Sequence, residues 1–200
     1  MELLSFGAES QIFIINETTL KKIRTPQVYR HPELDLKIRR KRAKREYKVL
    51  DSLYTQKMLV PRVQNLNLDE CSFEMEFIKG NSLTKHMSLK YLKKTMAQIA
   101  KMHTLGIVHC DLTPLNVMVS KSGEIVIIDF GLSEYSSNRE ERAVDLNVFF
   151  IFLRNDYPEL FAYKDSLLEV YRKEFKDDSQ VDEVFTRLEE VEKRGRNKNK

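Results

Sequence analysis

Residues 107–132 read IVHCDLTPLNVMVSKSGEIVIIDFGL. Two short apolar runs, Val117–Ser120 and residues 124–128, flank Lys121-Ser122-Gly123, so the segment predicts a strand, a tight turn and a second strand. His109-x-Asp111 precedes the first strand, Asn116 follows Asp111 by five positions, and Asp129-Phe130-Gly131 follows the second strand. Upstream, residues 90–105 predict a helix: Leu92, Met96, Ile99 and His103 track one face, and Gly106 suits the position just past its end. Downstream, residues 145–152, 161–175 and 179–191 read as helices, the last with Val181, Val184 or Phe185, Leu188 and Val191 on one side.

Toward the N-terminus the pattern changes from helical to alternating. Residues 11–15 and 19–23 read as strands joined by the turn-prone Asn16–Thr18 stretch, and in the second strand Leu20 and Lys22 share a face. The choice of Lys22 over Lys21 as the inward lysine depends on strand register, because a one-residue slip exchanges the faces. After a loop with two prolines, residues 34–54 predict a helix whose inner face carries Ala43, Glu46, Leu50 and Leu53. Glu46 is an inward carboxylate and needs a partner, since a buried unpaired charge is costly. Residues 71–78 alternate as a strand, with Phe73, Met75 and Phe77 on one face, until Lys79-Gly80-Asn81 breaks the pattern.

The His109-x-Asp111, Asn116 and Asp129-Phe130-Gly131 set resembles the catalytic loop and metal-binding motif of the protein-kinase-like superfamily. On that resemblance Asp111 accepts or orients the proton of an attacking hydroxyl. Asn116 and Asp129 offer a neutral and an anionic oxygen suited to hard Mg²⁺, and Gly131 lets the chain turn sharply. Lys22 resembles the lysine that holds the α- and β-phosphates of ATP, and Glu46 resembles its ion-pair partner. Gly7, Ala8, Glu9 and Ser10 stand where a glycine-rich phosphate loop belongs, although a single glycine makes a reduced one. Glu76, Phe77 and Ile78 would offer backbone groups to adenine, and Asp145 would sit on a helix and anchor the catalytic loop. The implied fold is α+β: a minimal two-lobed protein-kinase-like fold, with an antiparallel sheet and one helix in the N-lobe and a reduced helical C-lobe. The implied limits are 1–78, 79–193 and a basic, flexible tail over 194–200.

A narrower resemblance covers nearly the whole chain. Lys22-Ile23-Arg24-Thr25-Pro26, Tyr29-Arg30-His31-Pro32-Glu33-Leu34-Asp35, Asp111-Leu112-Thr113, Glu141-Arg142-Ala143-Val144-Asp145-Leu146 and Arg194-Gly195-Arg196 occur in order. They resemble the small atypical kinase subunits of KEOPS/EKC complexes, relatives of the RIO kinases. That family implies Mg²⁺ and ATP binding and weak Ser/Thr phosphorylation or ATP hydrolysis. It also implies support of threonylcarbamoyl-adenosine formation on tRNA, beside a universal tRNA-modifying subunit and a small bridging subunit. Two departures stand out. Cys110 replaces the usual arginine or glycine and is expected to be a small buried thiol. No Ala-Pro-Glu follows Gly131, so the platform that docks protein substrates is missing.

Composition agrees with this reading and narrows it. The 200 residues are 42% hydrophobic, enough for a real core, and two cysteines are too few for a disulfide framework. The longest apolar run, 148–153, is far short of the roughly 20 residues of a membrane helix. A soluble protein in the cytoplasm is expected, or also in the nucleus of a eukaryote. The net charge of +4 is uneven. Residues 37–48 carry Lys37, Arg39, Arg40, Lys41, Arg42, Lys44, Arg45 and Lys48 against Glu46 alone, and the last eight residues carry five more cations and no acid. From composition alone the two islands read either as contacts for a polyanion, which tRNA fits, or as a solvated helix face and a solubilising tail. Two other readings compete: a kinase-shaped scaffold without catalysis, and a small-molecule kinase of the aminoglycoside type.

Overall fold

A computed structural model describes residues 1–175 and 178–197. The chain forms two compact units. The first is Met1–Lys79 with Asp129–Leu132, and the second is Gly80–Ile128 with Ser133–Lys200.

In the first unit β1 (Glu2–Phe6), β2 (Ser10–Ile14), β3 (Thr19–Arg24), β4 (Val63–Asn67) and β5 (Ser72–Glu76) make an antiparallel sheet in the order β1-β2-β3-β5-β4. The Asn16 side chain closes the β2–β3 turn by accepting from the Thr18 N–H at 2.9 Å. Helix α1 (Pro32–Thr55) buries Ala43, Glu46, Val49, Leu50 and Leu53, the expected inner face with Val49 added. Tyr47 meets Phe73 of β5 edge to face at 6.2 Å. Pro32 opens α1, where a missing N–H costs nothing. The Arg39 guanidinium, one turn along from Asp35, holds that carboxyl below the usual range.

The second unit contains β6 (Gly80–Ser82), α2 (Leu89–Thr104), β7 (Ile107–Val108), β8 (Val117–Ser120), β9 (Ile125–Ile127), β10 (Glu134–Tyr135), α3 (Arg139–Asp156), α4 (Pro158–Phe161), α5 (Lys164–Arg172) and α6 (Asp178–Asn197). Strands β6, β8 and β9 form one small sheet, and β7 pairs with β10. Helix α2 buries Leu92, Met96, Ile99 and His103 as the sequence implies, and Gly106 past its end takes φ +74°. Gly123 turns the β8–β9 hairpin at φ +77°. The core is completed by Leu146, Phe149, Phe150 and Leu153 of α3 and by Val181, Val184 and Leu188 of α6.

Several boundaries differ from expectation for identifiable reasons. Helix α3 begins at Arg139, six residues early, because the Asn138 side chain caps it by accepting from the Glu140 N–H at 2.8 Å. The helix expected over 161–175 is shorter, α5 over Lys164–Arg172, and the separate short helix α4 precedes it and shares only Phe161 with that stretch. Strands β1 and β4 escape the sequence pattern because ELLSF is exposed throughout and VQNLN is mostly exposed, so neither shows alternation. Helix α6 continues to Asn197, so residues 194–197 are helical where a separate tail is expected, and Lys198 and Lys200 lie outside the described residues. Arg194 supports that extension by pairing with Glu190, one turn back, and with Glu140. Among the described residues no helix is long and apolar enough to cross a membrane.

Candidate active site

Alternation along β3 places Leu20, Lys22 and Arg24 on the buried face. Lys21 points the other way and pairs with Glu70 at 2.6 Å. Lys22, 2% exposed, reaches Glu46 at 2.6 Å and Asp129 at 2.7 Å. Glu46 is 1% exposed, and its second oxygen is held by Arg24. The inward carboxylate therefore has two cations, and the cluster of Lys22, Arg24, Glu46 and Asp129 is formally neutral. Burial around Asp129 pushes its carboxyl up. The opposing pull of Lys22, of Arg24 and of the Gly131 N–H is stronger and holds it below the usual carboxylate range.

Asp129 itself makes the sharp turn expected of Gly131: its φ is +58°, outside the usual range for a residue with a side chain. Gly131 is required for space. A Cβ there would lie 2.6 Å from the Arg24 guanidinium and 3.1 Å from Asp129 Oδ1. One carboxylate oxygen of Asp129 is engaged by Lys22 and the Gly131 N–H, and the side chain is 49% exposed. That is the chemistry of a partial Mg²⁺ ligand, which leaves most coordination to water and phosphate oxygens. Among the described residues no cluster of three or more His, Cys, Asp and Glu stands ready for a metal.

The reduced phosphate loop joins β1 to β2. The Gly7 N–H is spent on the Ser10 carbonyl at 2.8 Å, and the Ala8 carbonyl accepts from Gln27. Glu9 would repel a phosphate, but Arg30 and Arg42 hold its carboxylate. The Arg of Tyr29-Arg30-His31-Pro32 thus ties the loop to the start of α1. The segment expected to meet adenine is partly committed as well. The Glu76 N–H donates to Arg62 and the Phe77 N–H to Thr18, which leaves the Ile78 N–H without a protein partner among the described residues.

In the second unit, Asp145 of α3 organises the loop that carries Asp111. Its carboxylate accepts the His109 N–H at 2.6 Å and the Cys110 N–H at 2.8 Å. The same carboxylate faces His103 Nε2 at 3.2 Å, and His103 Nδ1 lies 2.8 Å from the Tyr171 hydroxyl. Burial pushes the Tyr171 phenol up, so it remains a donor to Nδ1. Burial also pushes the His103 imidazole down, against the pull of Asp145, so the ring is neutral and donates from Nε2. Burial raises the Asp145 carboxyl, but the bonds from His103 and His109 outweigh it and hold it ionised. A chain of donors from α5 through α2 to α3 thereby fixes the loop that carries Asp111. Cys110 is exposed, contrary to expectation, because its φ of +63° turns the side chain outward while its N–H is held by Asp145. Asn116 donates its amide to the Asp111 carbonyl at 2.9 Å and to its carboxylate at 3.1 Å. The exposed Asp111 carboxylate keeps lone pairs for a hydroxyl proton. The Ile128 N–H, one residue before Asp129, donates to the Asn116 carbonyl at 2.9 Å.

Sequence reasoning missed Arg24, His103 and Tyr171 as parts of this apparatus. Arg24 shares the alternation that marks Lys22, and His103 lies on the predicted inner face of α2. Tyr171 has no local signal.

The RIO domain model matches residues 15–163. An Archaeoglobus fulgidus protein named "Probable serine/threonine-protein kinase BUD32 homolog" is 33% identical over 190 residues, covering 95% of this chain and 93% of that protein. A Pyrococcus abyssi protein named "KEOPS complex subunit Bud32" is 30% identical, covering 98% and 96%. A Methanobrevibacter smithii protein named "Probable bifunctional tRNA threonylcarbamoyladenosine biosynthesis protein" is 34% identical over 97% of this chain, which spans only 36% of that longer protein. The Rio2 kinase of Chaetomium thermophilum, solved as an ADP/Mg²⁺-phosphoaspartate complex, matches 99% of this chain and 72% of its own, with TM-score 0.67 and 15% identity, and shows the shared kinase-like fold. A match to the RIO domain over most of the chain, with near full-length similarity to Bud32 proteins, means that this chain belongs to the Bud32 branch of the RIO-domain family.

Proposed function

We propose that the protein is an atypical Mg²⁺- and ATP-dependent serine/threonine kinase or ATPase, and that it serves a KEOPS/EKC complex in forming threonylcarbamoyl-adenosine on tRNA. The observation that carries the reading is Lys22, buried and held between Glu46 and Asp129. A kinase-shaped scaffold needs no such cluster, and relatives named as kinases weigh the same way. Lys22, paired with and oriented by Glu46, would bind the α- and β-phosphates. Arg24 would keep Glu46 in place when Lys22 turns from Asp129 toward the nucleotide. Ala8, Glu9 and Ser10 would line the phosphates, and the Ile78 N–H would meet the adenine edge. Asn116 and Asp129 would hold Mg²⁺, which when bound neutralises charge on the β- and γ-phosphates. Asp111, oriented by Asn116, would take the proton of a serine or threonine hydroxyl, or orient a water. Phosphoryl transfer of this kind needs positioning and charge neutralisation more than covalent help.

The relatives' names, a KEOPS complex subunit and a tRNA threonylcarbamoyladenosine biosynthesis protein, support membership of such a complex. The partners proposed within it are a tRNA-threonylcarbamoylating subunit and a small bridging subunit, and the proposed setting is the cytoplasm. For tRNA contact, the cationic run on α1 is thinner than it reads. Arg39, Arg40 and Arg42 are paired with Asp35, Asp69 and Glu9, whereas the exposed Lys37, Lys41 and Lys44 have the spacing of one helix face. Those three and the C-terminal cations are the groups proposed to meet tRNA phosphates. The test is turnover of γ-labelled ATP with Mg²⁺, following free phosphate and protein-bound label, with Lys22→Ala, Asp111→Asn and Asp129→Ala in parallel. Turnover that falls at least about a hundredfold in each variant supports the assignment. Wild-type protein inert with tRNA and partner subunits present overturns it.

A further inference from the structure

We propose a third polyanion site, in the second unit, that binds phosphodiester groups of an RNA backbone. It rests on the tRNA reading above and adds a surface that neither basic run of the sequence reveals. Strand β6, the β8–β9 turn and the first turn of α2 enclose a surface cavity of about 430 Å³, lined in part by Asn81, His86, Lys90, Lys94, Lys121 and Ser122. Ligand cavities of this size are usually mainly apolar, and this one presents ammonium, imidazole, amide and hydroxyl groups.

The charge is one-sided. From residue 80 to residue 94 there are four lysines and no Asp or Glu, and Lys121 reaches the same cavity from the hairpin turn. Lys94 is anchored, with its ammonium 2.7 Å from the Gly123 carbonyl and 3.5 Å from Glu124. Lys90 and Lys121 are exposed and form no ion pair among the described residues. The contrast with α1 is informative, because there Arg39, Arg40 and Arg42 are paired with carboxylates of the same chain. Lys90, whose ammonium lies 5.6 Å from the centre of the Tyr91 ring, and Lys121 have no carboxylate partner among the described residues, and beside the anchored Lys94 they make a focus of positive potential that an anion would neutralise. Lysines act as point charges on flexible stems, without the planar fork that reads a base edge. Such a site holds backbone phosphate and positions the RNA without reading sequence.

The test is anisotropy of a fluorescein-labelled tRNA transcript titrated with the full-length protein from 50 to 250 mM KCl. Lys90→Gln/Lys121→Gln and Lys90→Arg/Lys121→Arg are compared with wild type, and thermal melting verifies folding. The expected result is an affinity loss of about tenfold for the Gln pair, with the slope of log K against log salt shallower by about 1 to 2, and recovery in the Arg pair. Wild-type slope and affinity in the Gln pair would overturn the pocket while leaving the tRNA reading intact. Failure of the wild type to bind tRNA at all would overturn both. An effect of the Gln pair on a labelled polyglutamate peptide but not on tRNA would reassign the cavity to an acidic protein and overturn the RNA proposal.

Discussion

Glu46 shows how one residue links the sequence pattern to chemistry. A carboxylate on the inner face of a basic helix is unfavourable unless paired, and the fold gives it both Lys22 and Arg24. The two cations are not equivalent. Lys22 also engages the partly exposed Asp129, whereas Arg24 is 6% exposed, is bonded to Glu46 and packs against Gly131. Replacing Glu46 with Gln leaves two buried cations short of an anion. The expected loss is about 3 kcal/mol of unfolding free energy, read from urea denaturation. A loss under about 1 kcal/mol would mean that Asp129 alone compensates the cluster. The Lys22→Met variant is expected to be milder in stability and far worse in ATP binding, because Arg24 still neutralises Glu46.

Elements set the positions of these residues through their ends and their close approaches. Asn138 starts α3 early enough to bring Asp145 under the catalytic loop, and Asp145 then holds two successive N–H groups. Strand β6 lies so close to β8 that a Cβ on Gly80 would fall 2.1 Å from the Val119 carbonyl oxygen and 2.9 Å from the Ser120 Cα. Both obstacles are backbone and do not swing aside. Gly80→Ala is therefore expected to break the β6–β8 pairing and cost about 2 to 3 kcal/mol, in the range of overpacked cores. Hydrogen exchange of the β6 and β8 amides would locate the damage. Unchanged protection there would show that the strands can separate without cost.

At the scale of the whole molecule, stability carries a pH signature from the Tyr171–His103–Asp145 chain. Its three members come from α5, α2 and α3, and its central imidazole is wholly buried and neutral. The folded pKa of His103 is lowered, so the unfolded chain binds this proton more readily. Stability is full above the unfolded value of about 6.5 and falls as the pH drops below it. The depressed carboxyl of Asp145 acts later and in the same direction, with stability present above about pH 3.9 and lost as the pH falls through its lower folded value. Wild-type protein should lose up to about 1.4 kcal/mol per pH unit below 6.5 from His103. Urea unfolding from pH 7.5 to 5 should show that slope flattened in His103→Gln. Equal slopes in the two proteins would place the titrating group elsewhere.

Much of the architecture follows from sequence alone, because it is written in local periods. The period of two in residues 19–23 and the helical stripe from Ala43 to Leu53 specify faces that burial then obeys, whereas in β5 Ser72 is buried beside Phe73 and Met75 is only half-buried, like Glu74. The strand–turn–strand that follows Asn116 was equally legible, and it forms as β8 and β9. Tertiary structure alone decided which charges remain available. Arg39, Arg40 and Arg42 look free in a basic run and are neutralised by Asp35, Asp69 and Glu9, two of them distant in the chain. Lys90 and Lys121, unremarkable in sequence, converge on one cavity. Tyr171 reaches His103 across 68 positions, and Gly131 is needed for the room that Arg24 occupies. Periodicity constrains a residue's face within its own element. The identity of what stands opposite that face depends on chain segments brought together only by folding.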